Sequence, residues 1–201
     1  MKLIRRSFLA FGLAMAAISP AAADQLSLNA ISNYLNGLKT AQGSFTQIND
    51  DGTLSTGKVF ISRPGKMRFE YDPPEQALVI AEASAVVIID KKSNQPPETY
   101  PLRRTPLSLI LARNINLARA RMVTNHSFDG TATIVTAQDP ENPEYGNIQM
   151  SFTDNPVQLR QWIVNDANGG TTTVILGEFE TGMNLPSSLF SADRAVNQRD
   201  R

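Results

Sequence analysis

Apolar residues along the chain first follow a helical period and then a long run of strand-like alternation. Leu28, Ile31, Leu35 and Leu38 recur at intervals of three and four, which puts them on one face of a helix. Ser27 stands where an N-cap belongs, and Gly43 is expected past the helix end. From Ser44 the period shortens. Residues 44–48 predict a strand, Asp50-Asp51-Gly52 a turn, and residues 58–62 a second strand ending at Arg63-Pro64-Gly65. Residues 66–71 alternate strictly, with Met67, Phe69 and Tyr71 on one face and Lys66, Arg68 and Glu70 on the other. Asp72-Pro73-Pro74 ends that strand, because proline has no N–H to give a ladder. Apolar strands are predicted next at 76–81 and 85–90. Between residues 105 and 122 the pattern turns helical, with Pro106 suited to a first turn and Leu107, Ile110 and Leu111 on one side. Later strands are predicted at 122–128, 131–137, 147–152, 159–165 and 172–180. The tail from Ser191 is polar and is expected to be loose. Strands recurring every 8–12 residues or so predict one antiparallel sheet that curls or closes, with two helical segments packed on it.

The N-terminus carries a different signal. Lys2, Arg5 and Arg6 precede an apolar run of 11 residues from Phe8 to Ile18. That run is short of the roughly 20 residues that span a bilayer. Ala21-Ala22-Ala23 is an A-x-A cleavage site, so residues 1–23 are expected to be a cleavable signal peptide and 24–201 the exported domain. Arg5-Arg6-Ser7-Phe8-Leu9 fits a twin-arginine signal as well as a general-secretion one. The expected location is the periplasm. A domain near this size buries roughly 70% of its unfolded surface, enough for a core or a lined cavity.

Charge and composition narrow the function. The 201 residues include 19 basic and 19 acidic ones. Three of the basic ones lie in the signal, leaving 16 against 19 in residues 24–201 and a net charge of −3. Low charge density without long basic blocks argues against nucleic-acid binding. The absence of cysteine and the single His126 exclude thiolate and multi-histidine metal sites, so neither metal nor other cofactor is expected. No hydrolase, nucleotide-binding or metalloprotease motif is present, and no catalytic residue is expected. His126 reads as a strand residue, with general base of a secreted hydrolase as the rival reading. Asn49-Asp50-Asp51-Gly52 lacks the ligand spacing of a calcium loop and reads as a hairpin turn.

Two basic features stand out. Between Glu98 and Asp129 there is no acidic residue, while Arg103, Arg104, Arg113, Arg119 and Arg121 all fall there. This is either a solvated helix face or a docking surface for an acidic partner or lipid headgroups. Arg63-Pro64-Gly65 is a turn sequence. Its arginine, with up to five donors, could also fasten a mobile element through loop or helix-end carbonyls.

The segment from Gly57 to Pro74, centred on Arg63-Pro64-Gly65-Lys66-Met67-Arg68-Phe69-Glu70-Tyr71, resembles the signature of the LolA family of periplasmic outer-membrane lipoprotein carriers. Phe45-Thr46-Gln47 is similar to the F-x-Q that precedes it, and the run from Thr105 to Ala112 to a central T-P-x-x-L helix. The C-terminal half matches by strand pattern only. Val87-Ile88-Ile89-Asp90 departs from a segment that is often aromatic, which implies a differently shaped cavity. The resemblance implies a mainly β fold with α: an incomplete, open antiparallel β-barrel covered by a helical lid and enclosing a hydrophobic cavity. It implies that Arg63 latches the lid, and that Met67, Phe69 and Tyr71, with Phe60 and Val79, line the cavity. Leu107, Ile110 and Leu111, with Ile31 and Leu35 of the first helix, would form the lid contacts. It also implies a monomeric, non-enzymatic carrier of acylated lipoproteins, loaded by the inner-membrane ABC transporter LolCDE. Delivery would be to a LolB-like acceptor or to the outer membrane itself. The alternative within the family is a periplasmic lipid-binding or lipoprotein-sensing protein. Such cargo suits these residues, since each acyl CH₂ moved from water to an apolar site gains about 0.8 kcal/mol.

Overall fold

The structure is a computed structural model that describes residues 24–105 and 107–200, so the expected signal peptide and Pro106 lie outside the described residues. Helix α1 (Leu28–Gly37) starts where its cap was expected: the Ser27 hydroxyl accepts a hydrogen bond from the Ala30 N–H at 3.1 Å. Its apolar stripe buries Ile31 and Leu35. Strands follow in chain order: β1 (Thr40–Ile48), β2 (Leu54–Ser62), β3 (Lys66–Tyr71), β4 (Ala77–Glu82), β5 (Ala85–Asp90) and β6 (Glu98–Pro101). The short helix α2 (Leu107–Leu111) comes next. Then come β7 (Val123–Phe128), β8 (Thr133–Gln138), β9 (Asn147–Thr153), β10 (Gln158–Asn165), β11 (Thr171–Leu176), β12 (Glu180–Thr181) and helix α3 (Ala192–Arg199).

Eleven of the strands form one antiparallel path, β6-β5-β4-β3-β2-β1-β11-β10-β9-β8-β7, and β12 adds to β1. The end strands β6 and β7 do not pair with each other, so the sheet is open. It is also strongly curled. Val86 of β5 and Val135 of β8, near opposite ends of the strand order, belong to one buried cluster. Ile31 and Leu35 of α1 and Ile110 and Leu111 of α2 join the same cluster, so both helices cover the concave face. This is the open barrel with a helical lid.

Four expectations change. Gly43 does not end the helix; it lies inside β1 opposite Val59, where the Phe179 ring occupies the space of a side chain. The helix expected over 105–122 is α-helical only at 107–111. Just beyond Leu111 the backbone is held by α1, and a turn at Asn116–Ala120 closes on itself. The Asn36 amide donates to the Ile115 carbonyl (2.7 Å) and accepts from its N–H (3.0 Å), and the Ser32 hydroxyl accepts from the Leu117 N–H (2.9 Å). The strand expected over 172–180 breaks at Gly177, whose N–H turns to the Ser44 carbonyl, and splits into β11 and β12. The tail from Ser191 is ordered: the Ser191 hydroxyl caps α3, and Ala195 packs on Leu78, Ile80 and Ile89 on the convex face. Its small apolar stripe (Ala192, Ala195, Val196) is thin enough to be masked by polar neighbours.

Close approach of β2 and β3 depends on a missing side chain. A Cβ on Gly57 would stand 2.0 Å from the Glu70 carbonyl oxygen and 2.8 Å from the Phe45 ring. Gly57→Ala should therefore lower the stability by about 1–3 kcal/mol, the usual cost of overpacking. Gly37→Ala meets nothing within 4 Å and should be neutral or stabilising. Urea midpoints of the two variants, compared with the parent, check the contrast.

Candidate functional site

The inner face of β3 carries the site. Register sets Met67 opposite Ile61 and Ala81, Phe69 opposite Val59 and Val79, and Tyr71 opposite Gly57. Phe45 meets the rings of Phe69 and Tyr71 edge-on at 5.2 and 5.1 Å, and Phe69 meets Trp162 at 6.2 Å. Such edge-to-face contacts give a rigid aromatic wall. At the Tyr71 end of the strand an open cavity of about 580 Å³ lies against this wall. Phe69, Tyr71, Val79, Ile88, Trp162 and Val174 line it, and Leu107 of α2 closes one side. Tyr100, Arg104 and Asp166 sit exposed at its rim.

The Tyr71 hydroxyl within this wall is satisfied. The Tyr71 hydroxyl donates to Gln47 Oε1 at 2.7 Å, and the Gln47 amide donates in turn to Asn49 Oδ1 at 2.6 Å. Burial pushes the Tyr71 phenol up to about 12 despite that hydrogen bond, which opposes the shift. The wall thus stays uncharged.

The lid is fastened at the other end of β3. There the Gly65 N–H donates to the Leu111 carbonyl at 2.9 Å, and Arg63 Nη2 donates to the Ala112 carbonyl. Both acceptors are carbonyls at the C-terminal end of α2, which a helix leaves unpaired. The Arg63 N–H bonds the Lys39 carbonyl at 2.8 Å, which ties the turn to the start of β1. The guanidinium is buried, and its Nε and Nη1 have no hydrogen-bond partner within the protein. Burial lowers its pKa from the ordinary arginine value. Arg63 thus uses one of its guanidinium nitrogens on the end of α2 and leaves two without a partner in the protein, a net cost to the closed arrangement.

The structure brings Phe69, Tyr71, Val79 and Leu107 together around the cavity. Met67 is buried in the core nearer the Arg63 turn. Ile31, Leu35, Ile110 and Leu111 are also buried there, where they seat the lid on the sheet. Phe60, expected on the cavity wall, faces the other way. It pairs with Gln42 and Arg68, one position out of phase with Val59 and Ile61, and a one-residue step on a strand crosses to the opposite face. Sequence reasoning missed Trp162, Val174, Ser32 and Asn36. The strands of Trp162 and Val174 were expected, but only the curl of the sheet carries them across to Phe69. Ser32 and Asn36 each follow a buried apolar residue of α1, and that adjacency was their one signal. His126 points its Nε2 at the Leu26 carbonyl (2.8 Å) and holds the N-terminal segment to β7, the structural role of a strand residue. Among the described residues no group of three or more His, Asp or Glu is placed to hold a metal ion.

The raised Tyr71 pKa makes a stability prediction. A phenol that is harder to ionise in the folded state stabilises fully below its unfolded pKa of 10.0, and that contribution is lost as the pH climbs toward about 12. Urea unfolding across that range should show a steeper loss for the parent than for Tyr71→Phe. Equal slopes would refute the burial argument.

Residues 36–193 match the family model described as "Outer membrane lipoprotein carrier protein LolA". The chain is similar to the outer-membrane lipoprotein carrier protein of Azotobacter vinelandii, at 23% identity over 182 residues and 87% of each chain. It is also similar to that of Pseudomonas aeruginosa strain PAO1, at 24% identity over 201 residues, covering 96% of this chain and 95% of the relative. A crystal structure of a putative outer membrane lipoprotein-sorting protein domain from Vibrio parahaemolyticus aligns with a TM-score of 0.49 at 9% identity, over 88% of this chain and 98% of the other. The matched residues run from the last turn of α1 through every strand, the Arg63 turn and the lid to the first turn of α3, and the chain belongs to the LolA family.

Proposed function

We propose that this protein is a periplasmic carrier that holds the acyl chains of lipoproteins in the cavity beneath α2 and delivers them from the inner to the outer membrane without catalysing a reaction. One observation carries the proposal: an open apolar cavity of about 580 Å³ lies beside a lid whose attachment to the Arg63 turn is only two hydrogen bonds. Acyl chains need apolar area and little polar precision, and the rigid wall of Phe69, Tyr71 and Trp162 supplies the area. A carrier must also let go. Filling the cavity pushes on Leu107, and opening lets the unpaired Nε and Nη1 of Arg63 find water. Reclosure of the empty lid restores its bond to Ala112 and so favours release. In this reading LolCDE loads the carrier, and a LolB-like acceptor or the outer membrane receives the cargo.

Arg63→Leu tests the latch. The variant leaves the Ala112 carbonyl without its donor, a bond worth about 1.5–3 kcal/mol from a charged group, but it also removes the unpaired Nε and Nη1, so the net shift of the lid toward open should be roughly tenfold or less. Hydrogen exchange of residues 107–117 should accelerate and cargo transfer should slow, because closure no longer drives release. Unchanged transfer kinetics would reduce Arg63 to a turn residue. The cargo is tested by mass spectrometry of the protein purified from the periplasm. A co-purifying triacylated lipoprotein is expected, together with outer-membrane lipoproteins stranded at the inner membrane on depletion. Free phospholipid in its place, with normal sorting on depletion, would make the protein a general lipid binder.

A further inference from the structure

The lid segment holds a second feature that cargo binding does not use. Arg103, Arg104, Arg113, Arg119 and Arg121 are all exposed, and among the described residues none of their side chains forms an ion pair or donates a hydrogen bond. Residues 24–201 contain 16 basic and 19 acidic side chains. Five of the basic and none of the acidic ones lie between residues 99 and 128. The rest of the chain is left with 11 against 19, so a segment of charge +5 rides on a body of charge −8. Such a separation orients the molecule in an external field.

Three of the arginines, Arg103, Arg104 and Arg119, flank apolar surface. Arg103 and Arg104 line a groove with Leu109 and Met122. Leu109 and Met122 also line the next groove along, with Arg119, Ile115 and Ala120. Arg104 and Thr105 line the large cavity as well, so the grooves lead from the cavity mouth along the lid. The Arg104 guanidinium stands 5.6 Å from the centre of the Tyr145 ring, which holds it in place without neutralising it. Tyr100, 46% exposed, sits at the same mouth. The one carboxylate lining the first groove, Asp139, is turned into its own loop: it accepts from the backbone N–H groups of Glu141 and Asn142 and from the Asn142 amide.

We propose that this face docks on a bilayer surface through anionic phospholipid headgroups, with the cavity mouth turned toward the membrane. Guanidinium groups match phosphate oxygens in a two-pronged geometry. Apolar positions between the arginines and an aromatic ring at the edge suit the boundary between headgroups and acyl chains. The acidic body is repelled from the same surface, which fixes the approach. An acidic protein partner would satisfy the charges but would leave the apolar groove without an occupant.

The test is cosedimentation of residues 24–201, free of cargo, with vesicles. Vesicles of phosphatidylcholine containing about one-third phosphatidylglycerol should bind the protein at least roughly tenfold more tightly than phosphatidylcholine alone. Salt at about 1 M should abolish the difference, since it cuts the screening length to about 3 Å. Joint replacement of Arg103, Arg104, Arg113, Arg119 and Arg121 by glutamine should bring binding to the phosphatidylcholine level. Equal binding to both vesicles, binding insensitive to salt, or undiminished binding by the glutamine variant would overturn the proposal. Capture by soluble polyglutamate with no vesicle binding would overturn it in favour of an acidic protein. The salt titration uses the unaltered protein and decides the matter even if the variant folds poorly. Cargo is absent throughout, so failure here leaves the carrier reading standing, and failure of that reading shows in the mass spectrum instead.

Discussion

The concave face of an unclosed sheet is the constraint on which the molecule is built. Twelve strands curl far enough to bring Val86 and Val135 into one core, yet β6 and β7 never pair. Their inner residues are therefore an apolar surface that only a separate element can cover. Two helices do it, with Ile31 and Leu35 of α1 from one side and Ile110 and Leu111 of α2 from the other. A five-residue helix has little stability of its own, so its position rests on packing and on bonds from its neighbours. Those bonds come from the Arg63–Gly65 turn at one end and from Ser32 and Asn36 of α1 beyond it.

This arrangement separates two jobs along β3. Near Arg63 the face is fully packed, with Met67 buried and the lid seated. Near Tyr71 the same face opens into the cavity. Packing at the first end fixes the lid, and the empty space at the second gives a ligand something to fill. The buried guanidinium with two unpaired nitrogens makes the closed state less stable than a fully satisfied latch would be. A lid held that way can be displaced by burial of a modest number of methylene groups.

The outer face follows different rules. Arg68, one residue from Met67, points the other way and donates to the Leu189 carbonyl at 3.0 Å, and α3 covers Leu78, Ile80 and Ile89. The C-terminal helix thus shields an apolar patch that would otherwise be exposed on the convex side. Charge is uneven too: five arginines and no carboxylate lie between residues 99 and 128, while the rest of residues 24–201 holds 11 basic and 19 acidic side chains.

Much of this was legible in the sequence, and for a local reason. Alternation of period two fixes which residues of β3 share a face, whatever the strand pairs with, so Met67, Phe69 and Tyr71 could be grouped before any fold was known. The capped stripe of α1 and the Arg63-Pro64-Gly65 turn are equally local. The face chosen by Phe60 was not, because it depends on register with β1 and β3. The end of α2 was not, because the backbone groups that would have continued the helix are taken by side chains 79 and 85 positions away. Nor was α3, whose three small apolar residues have meaning only against the patch they cover. The sequence by itself determined the elements, their faces and the arginine turn, since these follow from interactions between near neighbours. Only the tertiary structure decided where the sheet stays open, which part of its inner face remains unfilled and what holds the lid, since those depend on contacts between residues far apart in the chain.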